Sequence, residues 1–298
     1  MRRKVARIGP STLMISLPSK WVKQQHIEKG HELHIEEKEG SLIIHPSEVP
    51  KTERTELHLK NKDEFLKRYL RSFYHQGYTE IKITCDEGLD FDEIKKELDM
   101  YLGFEIIEQG KKYCIIRNVA DAMEQEFDVV LRKIFFMNET IAEESLQHLQ
   151  TQKYPALREI ATIEKTNNKL VNLSYRILNK SGKISDHKLT SLHTLLLCLE
   201  NIADQYRDLC MYAADKKIHL TKDLEEFYKL LILHYHMLMN VYYSFDAERM
   251  VDVRNQRLQL ERTVVHLQEK QSFPVFTHHL RSILQYMKDM ELCMGFGH

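Results

Sequence analysis

From Val119 to the C-terminal end the sequence runs with helical periodicity and few stops, and this limits the fold more than any other feature. Breaks fall at Pro155, Ser181-Gly182, the Ile218-His219 region and Pro274, marking helices over about 119–153, 156–181, 186–216, 221–246, 247–271 and 274–294. The segment 186–216 is the clearest. Leu192, Leu195, Leu196, Leu199, Ile202, Ala203, Tyr206, Leu209 and Cys210 recur at i, i+3, i+4 and i+7, so one face is built for burial. Glu200 and Asp204 lie one turn apart on the opposite face. Short connections make sequence neighbours antiparallel, and six helices in this order predict two three-helix bundles in tandem.

The rest of the composition agrees. Across 298 residues there are 10 Gly and 6 Pro with 29% charged residues, a balance that favours helices over a sandwich or barrel. A net charge of −1 removes any whole-molecule polyelectrolyte argument, so electrostatic partners must be read from local asymmetry. Cys85, Cys114, Cys198, Cys210 and Cys293 contain no C-x-x-C and sit mostly in apolar runs, which predicts buried, reduced thiols in a cytoplasmic protein. The basic, quickly polar start is unlike a signal peptide, and the run Leu230-Leu-Ile-Leu is interrupted by His234 and His236 before it could span a bilayer.

The local asymmetry lies at the N-terminus. Residues 1–30 hold seven Lys/Arg (Arg2, Arg3, Lys4, Arg7, Lys20, Lys23, Lys29) against Glu28 alone, a local charge of +6. Val5, Ile8 and Leu13-Met-Ile-Ser-Leu17 predict two short strands around Gly9-Pro-Ser. Pro18-Ser-Lys-Trp-Val-Lys then opens a short helix stopped by Gly30, and Trp21 packs it. Glu32-Leu-His-Ile-Glu and Ser41-Leu-Ile-Ile-His45 read as paired strands about Gly40. A β-α-β-β unit this small buries little surface alone, so dimerisation is expected on size grounds.

Residues 46–53 read as a linker. After it, the strand Glu56-Leu-His-Leu, a helix capped by Asp63 and ended by Gly77, the strand 80–85, a helix from Phe91 to Leu102, and a hairpin about Gln109-Gly-Lys-Lys make a β-α-β-α-β-β module. It has no G-x-G-x-x-G and no phosphate loop, so a nucleotide site is not expected there.

The stretch Arg3-Lys-Val-Ala-Arg-Ile-Gly-Pro-Ser-Thr-Leu-Met-Ile-Ser-Leu-Pro-Ser-Lys-Trp, followed by Ile27-Glu-Lys-Gly30, resembles the AbrB/SpoVT-type swapped-hairpin domain. It resembles most the version at the N-terminus of archaeal phosphate-uptake-regulator (PhoU-like) proteins. Leu199-Glu-Asn-Ile-Ala-Asp204 is similar to the acidic E-x-x-x-D motif of their helical part. The resemblance implies an α+β, mainly α chain: a swapped-hairpin domain at 1–47, an α/β spacer module at 48–117 and a PhoU-like antiparallel helical domain at 118–298. It implies a homodimer through the N-terminal domain, with DNA contacts from Arg2, Arg3, Lys4 and Arg7 and, in second rank, Lys20 and Lys23. It also implies a divalent or iron-type metal at the acidic helix faces, held by Glu164, Asn168, Glu200 and Asp204. Asn168 stands where the family carries an acid, and the echo in the last helix is Gln285 with Asp289; both changes keep an oxygen and remove charge, which weakens a metal site.

Other candidates lead to blander readings. His234 and His236 diverge on a regular helix, as do His278 and His279, so neither pair chelates one ion. Tyr242-Tyr-Ser-Phe245 and Phe135-Phe-Met read as core or interface, and no nucleophile–base constellation has context, so the chain is not expected to be an enzyme. The function expected from the resemblance is a dimeric, cytoplasmic, DNA-binding regulator of phosphate uptake, acting negatively on transcription. The alternative is an adaptor that does not bind DNA and docks on a phosphate transporter or signalling partner. Neither reading involves membrane insertion.

Overall fold

The computed structural model describes residues 1–38, 40–45, 53–61, 65–120, 127–181, 186–270 and 273–294. The expected linker 46–53 lies almost wholly outside them, as do the Asp63 cap and the break at Gly182. The chain is α+β and mainly α, and it divides into two compact units, Met1–Lys51 and Thr52–His298.

In the first unit β1 (Ala6–Ile8) and β2 (Thr12–Met14) form an antiparallel hairpin in which Arg7 faces Leu13. Gly9 turns it at φ 75°, a left-handed conformation that costs glycine little. The short helix α1 (Ser19–Gln24) starts after Pro18, whose carbonyl accepts the first helical bond from Val22 N at 2.9 Å. A second hairpin joins β3 (His34–Lys38) to β4 (Ser41–His45), beginning two residues later than the alternation predicts.

The second unit has two hydrophobic cores. In the first, β5 (Arg54–Leu59) and β6 (Glu80–Cys85) are parallel, and β8 (Tyr113–Asn118) lies antiparallel between β6 and β7 (Phe104–Gly110). The parallel pair needs a crossover, supplied by α2 (Leu66–His75); α3 (Phe91–Leu98) links β6 to β7. Strand alternation turns Ile81, Ile83, Cys85, Cys114 and Ile116 to one face, where Leu70, Tyr74, Ile94 and Leu98 of the two helices cover them. α3 is capped by Asp90, whose carboxylate accepts from Glu93 N at 3.1 Å.

The second core runs through α4 (Phe127–Gln150), the short α5 (Tyr154–Leu157), α6 (Ile160–Ser181), α7 (Asp186–Lys216), α8 (Lys222–Tyr243), α9 (Ala247–Lys270) and α10 (Pro274–Glu291). All nine residues of the predicted α7 stripe are buried. An unpredicted helix, α5, arises because Pro155 starts a new turn rather than only ending the old one. The helices share a single core: α7 packs most heavily on α10 and α4 packs directly on α8, pairs expected to belong to different bundles. All five cysteines are buried thiols, and among the described residues no helix is long and apolar enough to cross a membrane.

Candidate nucleic-acid interface and acidic cluster

The six predicted DNA contacts sit in the first unit: Arg2, Arg3 and Lys4 ahead of β1, Arg7 within it, and Lys20 and Lys23 three residues apart on α1. All six are exposed, and among the described residues none is held in an ion pair, so their charge is open to an outside partner. The apolar residues around them are exposed as well. Val5, Leu13 and Leu42 are 62%, 66% and 65% accessible, and Ile8, Met14, Ile15 and Ile35 are exposed too. Trp21 is only half-buried, and none of the described side chains of this unit is fully buried. Among the described residues the sequence patterns that formed its hairpins therefore created no core.

The four predicted metal residues are only partly brought together. Glu164 and Asn168 are one turn apart on α6, and Asp204 faces them from α7. At their centre is an arginine. Arg207 NH1 donates to Glu164 Oε1 and Asp204 Oδ1, both at 2.8 Å, and its Nε donates to Asp208 Oδ1 at 3.0 Å. Asn168 Nδ2 donates to Glu164 Oε1 at 2.5 Å and reaches Asp204 Oδ1 at 3.5 Å. Burial and the hydrogen-bonded Asp204 carboxyl push Glu164 well above the usual carboxylate range, while Arg207 opposes the shift.

Glu200 turns elsewhere. Its Oε1 accepts from Arg71 NH2 of α2 at 2.5 Å, a bond from the α/β module to the helices. The donor set does not fit the metal that the resemblance implies. The charge that a cation would balance at Glu164 and Asp204 is balanced by Arg207, and Glu200 is spent on Arg71. The echo at Gln285 and Asp289 is a local pair, with Gln285 Nε2 donating to Asp289 Oδ1 at 3.0 Å.

Arg71 belongs to a larger junction that sequence reasoning missed. Arg176 of α6, 2% exposed, donates through NH1 to the carbonyls of Tyr74 at 3.0 Å and Tyr78 at 2.9 Å. Its guanidinium lies 5.0 Å from the Tyr74 ring centre and 5.3 Å from that of Phe104. Asn172 Oδ1 accepts from His75 Nε2 at 2.8 Å and its Nδ2 donates to Met100 O at 3.2 Å, while Asn179 donates to His75 O at 2.8 Å. Burial pulls the His75 imidazole down to about 4, so the ring is neutral at pH 7. Gly77, at φ 90°, ends α2 so close to α6 that an added Cβ would fall 2.5 Å from Lys180 Cγ. The α/β module is thus clamped to α6 and α7 by arginine and asparagine. Only Arg207 had a local signal, its i+3 spacing from Asp204; Arg71 and Arg176 act across about a hundred residues of chain, where no sequence period reaches.

The outer face of the sheet carries a ladder of opposite charges. Arg117 Nε and NH2 donate to Glu80 Oε2 at 2.9 and 2.7 Å, and Lys82 reaches Glu56 at 3.3 Å. This is a solvated face stabilised by cross-strand pairs. Comparison with protein-family models, curated proteins and solved structures finds no match to this chain.

Proposed function

We propose that the chain acts as a homodimeric DNA-binding regulator, with the N-terminal unit as the DNA-contacting and dimerising element and the helical unit as the part that senses or docks. One observation carries the reading. A unit rich in Val, Ile and Leu leaves all of its described apolar side chains at least partly exposed, beside six uncompensated cations. Apolar surface on that scale calls for a cover. A second copy interleaving its hairpins supplies one, and doubles the cationic set about a two-fold axis in a form suited to duplex phosphates. The link to phosphate uptake and to negative control of transcription rests on the resemblance of residues 3–21 and 199–204 to the PhoU-like regulators.

Salt-dependent duplex binding tests the reading. Replacing Arg2, Arg3 and Arg7 together by Ala removes six positive charges per dimer. If all six meet phosphates, the slope of log affinity against log salt falls by about 5. An unchanged affinity and slope would leave the adaptor reading, in which the unit only dimerises and the helices dock on a transporter or signalling protein. Phosphate contacts alone carry no sequence information, so random duplex is a sufficient first probe.

A further inference from the structure

A second acidic cluster differs from the first in having no arginine. On α4, Glu139 and Glu143 are one turn apart, and His236 of α8 faces both. Its Nε2 lies 2.8 Å from Glu139 Oε1 and 3.8 Å from Glu143 Oε1. One donor atom from each of the three residues falls within 4.8 Å of the others. Among the described residues neither carboxylate pairs with a Lys or Arg. His236 Nε2 is buried and makes no hydrogen bond, although Glu139 Oε1 lies 2.8 Å away. A buried nitrogen without a hydrogen bond, beside two carboxylates without a Lys or Arg partner, leaves both chemistries incomplete in the same place.

We propose that Glu139, Glu143 and His236 bind a divalent transition-metal ion of the zinc class. In a tetrahedral site with bonds of about 2.0–2.1 Å, neighbouring donor atoms stand about 3.3 Å apart. The two nitrogen–oxygen distances, 2.8 and 3.8 Å, lie on either side of that value, so small side-chain rotations bring the three into register. An imidazole with two carboxylates selects Zn2+, Fe2+ or Mn2+ over Mg2+ and Ca2+, which take oxygen ligands. The Glu143 side chain is 57% exposed, which leaves one side open for water to complete the coordination.

The frame is held in place on both sides. Tyr235 Oη donates to Phe135 O at 3.0 Å, and Ser145 Oγ and Tyr228 Oη share a hydrogen bond of 2.6 Å. These bonds fix α4 against α8 on both sides of the Glu139–Glu143 pair, one of them through the residue next to His236, which is the preorganisation a metal site needs. His234, two residues from His236, faces Gln256 of α9 instead, at 3.2 Å. An ion at the cluster would tie α4 to α8 and stabilise the helical unit.

The test is a titration of the full-length chain, freed of metal by a chelator, with Zn2+ and with Co2+. One saturable equivalent per chain is expected, with visible absorption from bound Co2+ and no competition from Mg2+. Glu139→Gln and His236→Gln are each expected to weaken binding at least about tenfold, and Glu164→Gln, in the arginine-closed cluster, to leave it unchanged. Should Glu139→Gln lose helical circular dichroism, the exposed Glu143→Gln takes its place. Absence of saturable binding, or an affinity that survives His236→Gln, overturns the proposal.

Discussion

The chain contains two small β-rich parts, and they solve the same problem in opposite ways. Residues 53–118 turn the apolar side of their sheet toward α2 and α3 and close a core around Leu70, Tyr74, Ile81 and Ile83. The end of α2 docks on α6 through Arg176. Residues 1–45 have strands of comparable hydrophobicity and a helix of six residues, and none of their described side chains is enclosed. The difference lies in the helices. α2 and α3 run ten and eight residues and lay two turns or more across the sheet, whereas α1 covers at most a corner. A β-rich segment of this size is complete when it carries its own cover and is otherwise half of something larger.

The largest expected effect breaks the self-sufficient half. Arg176→Ala removes a buried guanidinium that satisfies two backbone carbonyls and lies against two aromatic rings. Two stranded carbonyls and a cavity together should cost about 3–5 kcal/mol, read as a lower midpoint in urea unfolding. A cost below about 1 kcal/mol would mean that the module holds its place without the clamp.

The other half is probed by a residue that is exposed in the single chain. Leu13→Ala, at a position 66% accessible, should shift stability by no more than about 0.5 kcal/mol if water is the native neighbour. Under a second copy it behaves as a core truncation and costs about 2–3 kcal/mol. Sedimentation equilibrium of both proteins reads the difference directly as dimer dissociation. An unchanged dissociation constant would place Leu13 outside any interface and remove the main support for the dimer.

These contrasts mark how far sequence reasoning reaches. The span of α7, 186–216, was legible because nine apolar side chains keep one period over about five turns. The hairpin at Gln109-Gly was legible from its turn residues, but the bulge between Ile106 and Glu108 was not, since it depends on pairing with β8. The single helical core was hidden because periodicity shows that a face is apolar and does not show which helix covers it. The acidic motif shows the same limit at the level of a site. Spacing placed Glu200 and Asp204 on one face, yet their partners come from α2 and from the next turn of α7, and they separate the pair into two unlike environments. His236 is the converse: it diverges from His234 as the spacing predicts, and the groups it faces, Glu139 and Glu143, come from α4, which the spacing does not show.

The smallest expected effect sharpens the comparison at the seam between the α/β module and the helices. Arg71→Ala breaks the bond to Glu200, whose carboxyl is raised above its ordinary value by burial and held back by Arg71. A group with a raised pKa in the fold adds stability below its ordinary value and loses it as pH rises through the raised one. Without Arg71 the Glu200 value rises further, so the variant should match the native chain near pH 4.5 and fall behind it by about 1 kcal/mol near pH 7.5. The figure is kept small because the Arg71 side chain is 45% exposed and water screens the pair. Urea unfolding of both proteins at the two pH values measures the difference. An equal deficit at both would mean that Arg71 acts through its aliphatic stem and not through its charge, leaving the clamp to Arg176.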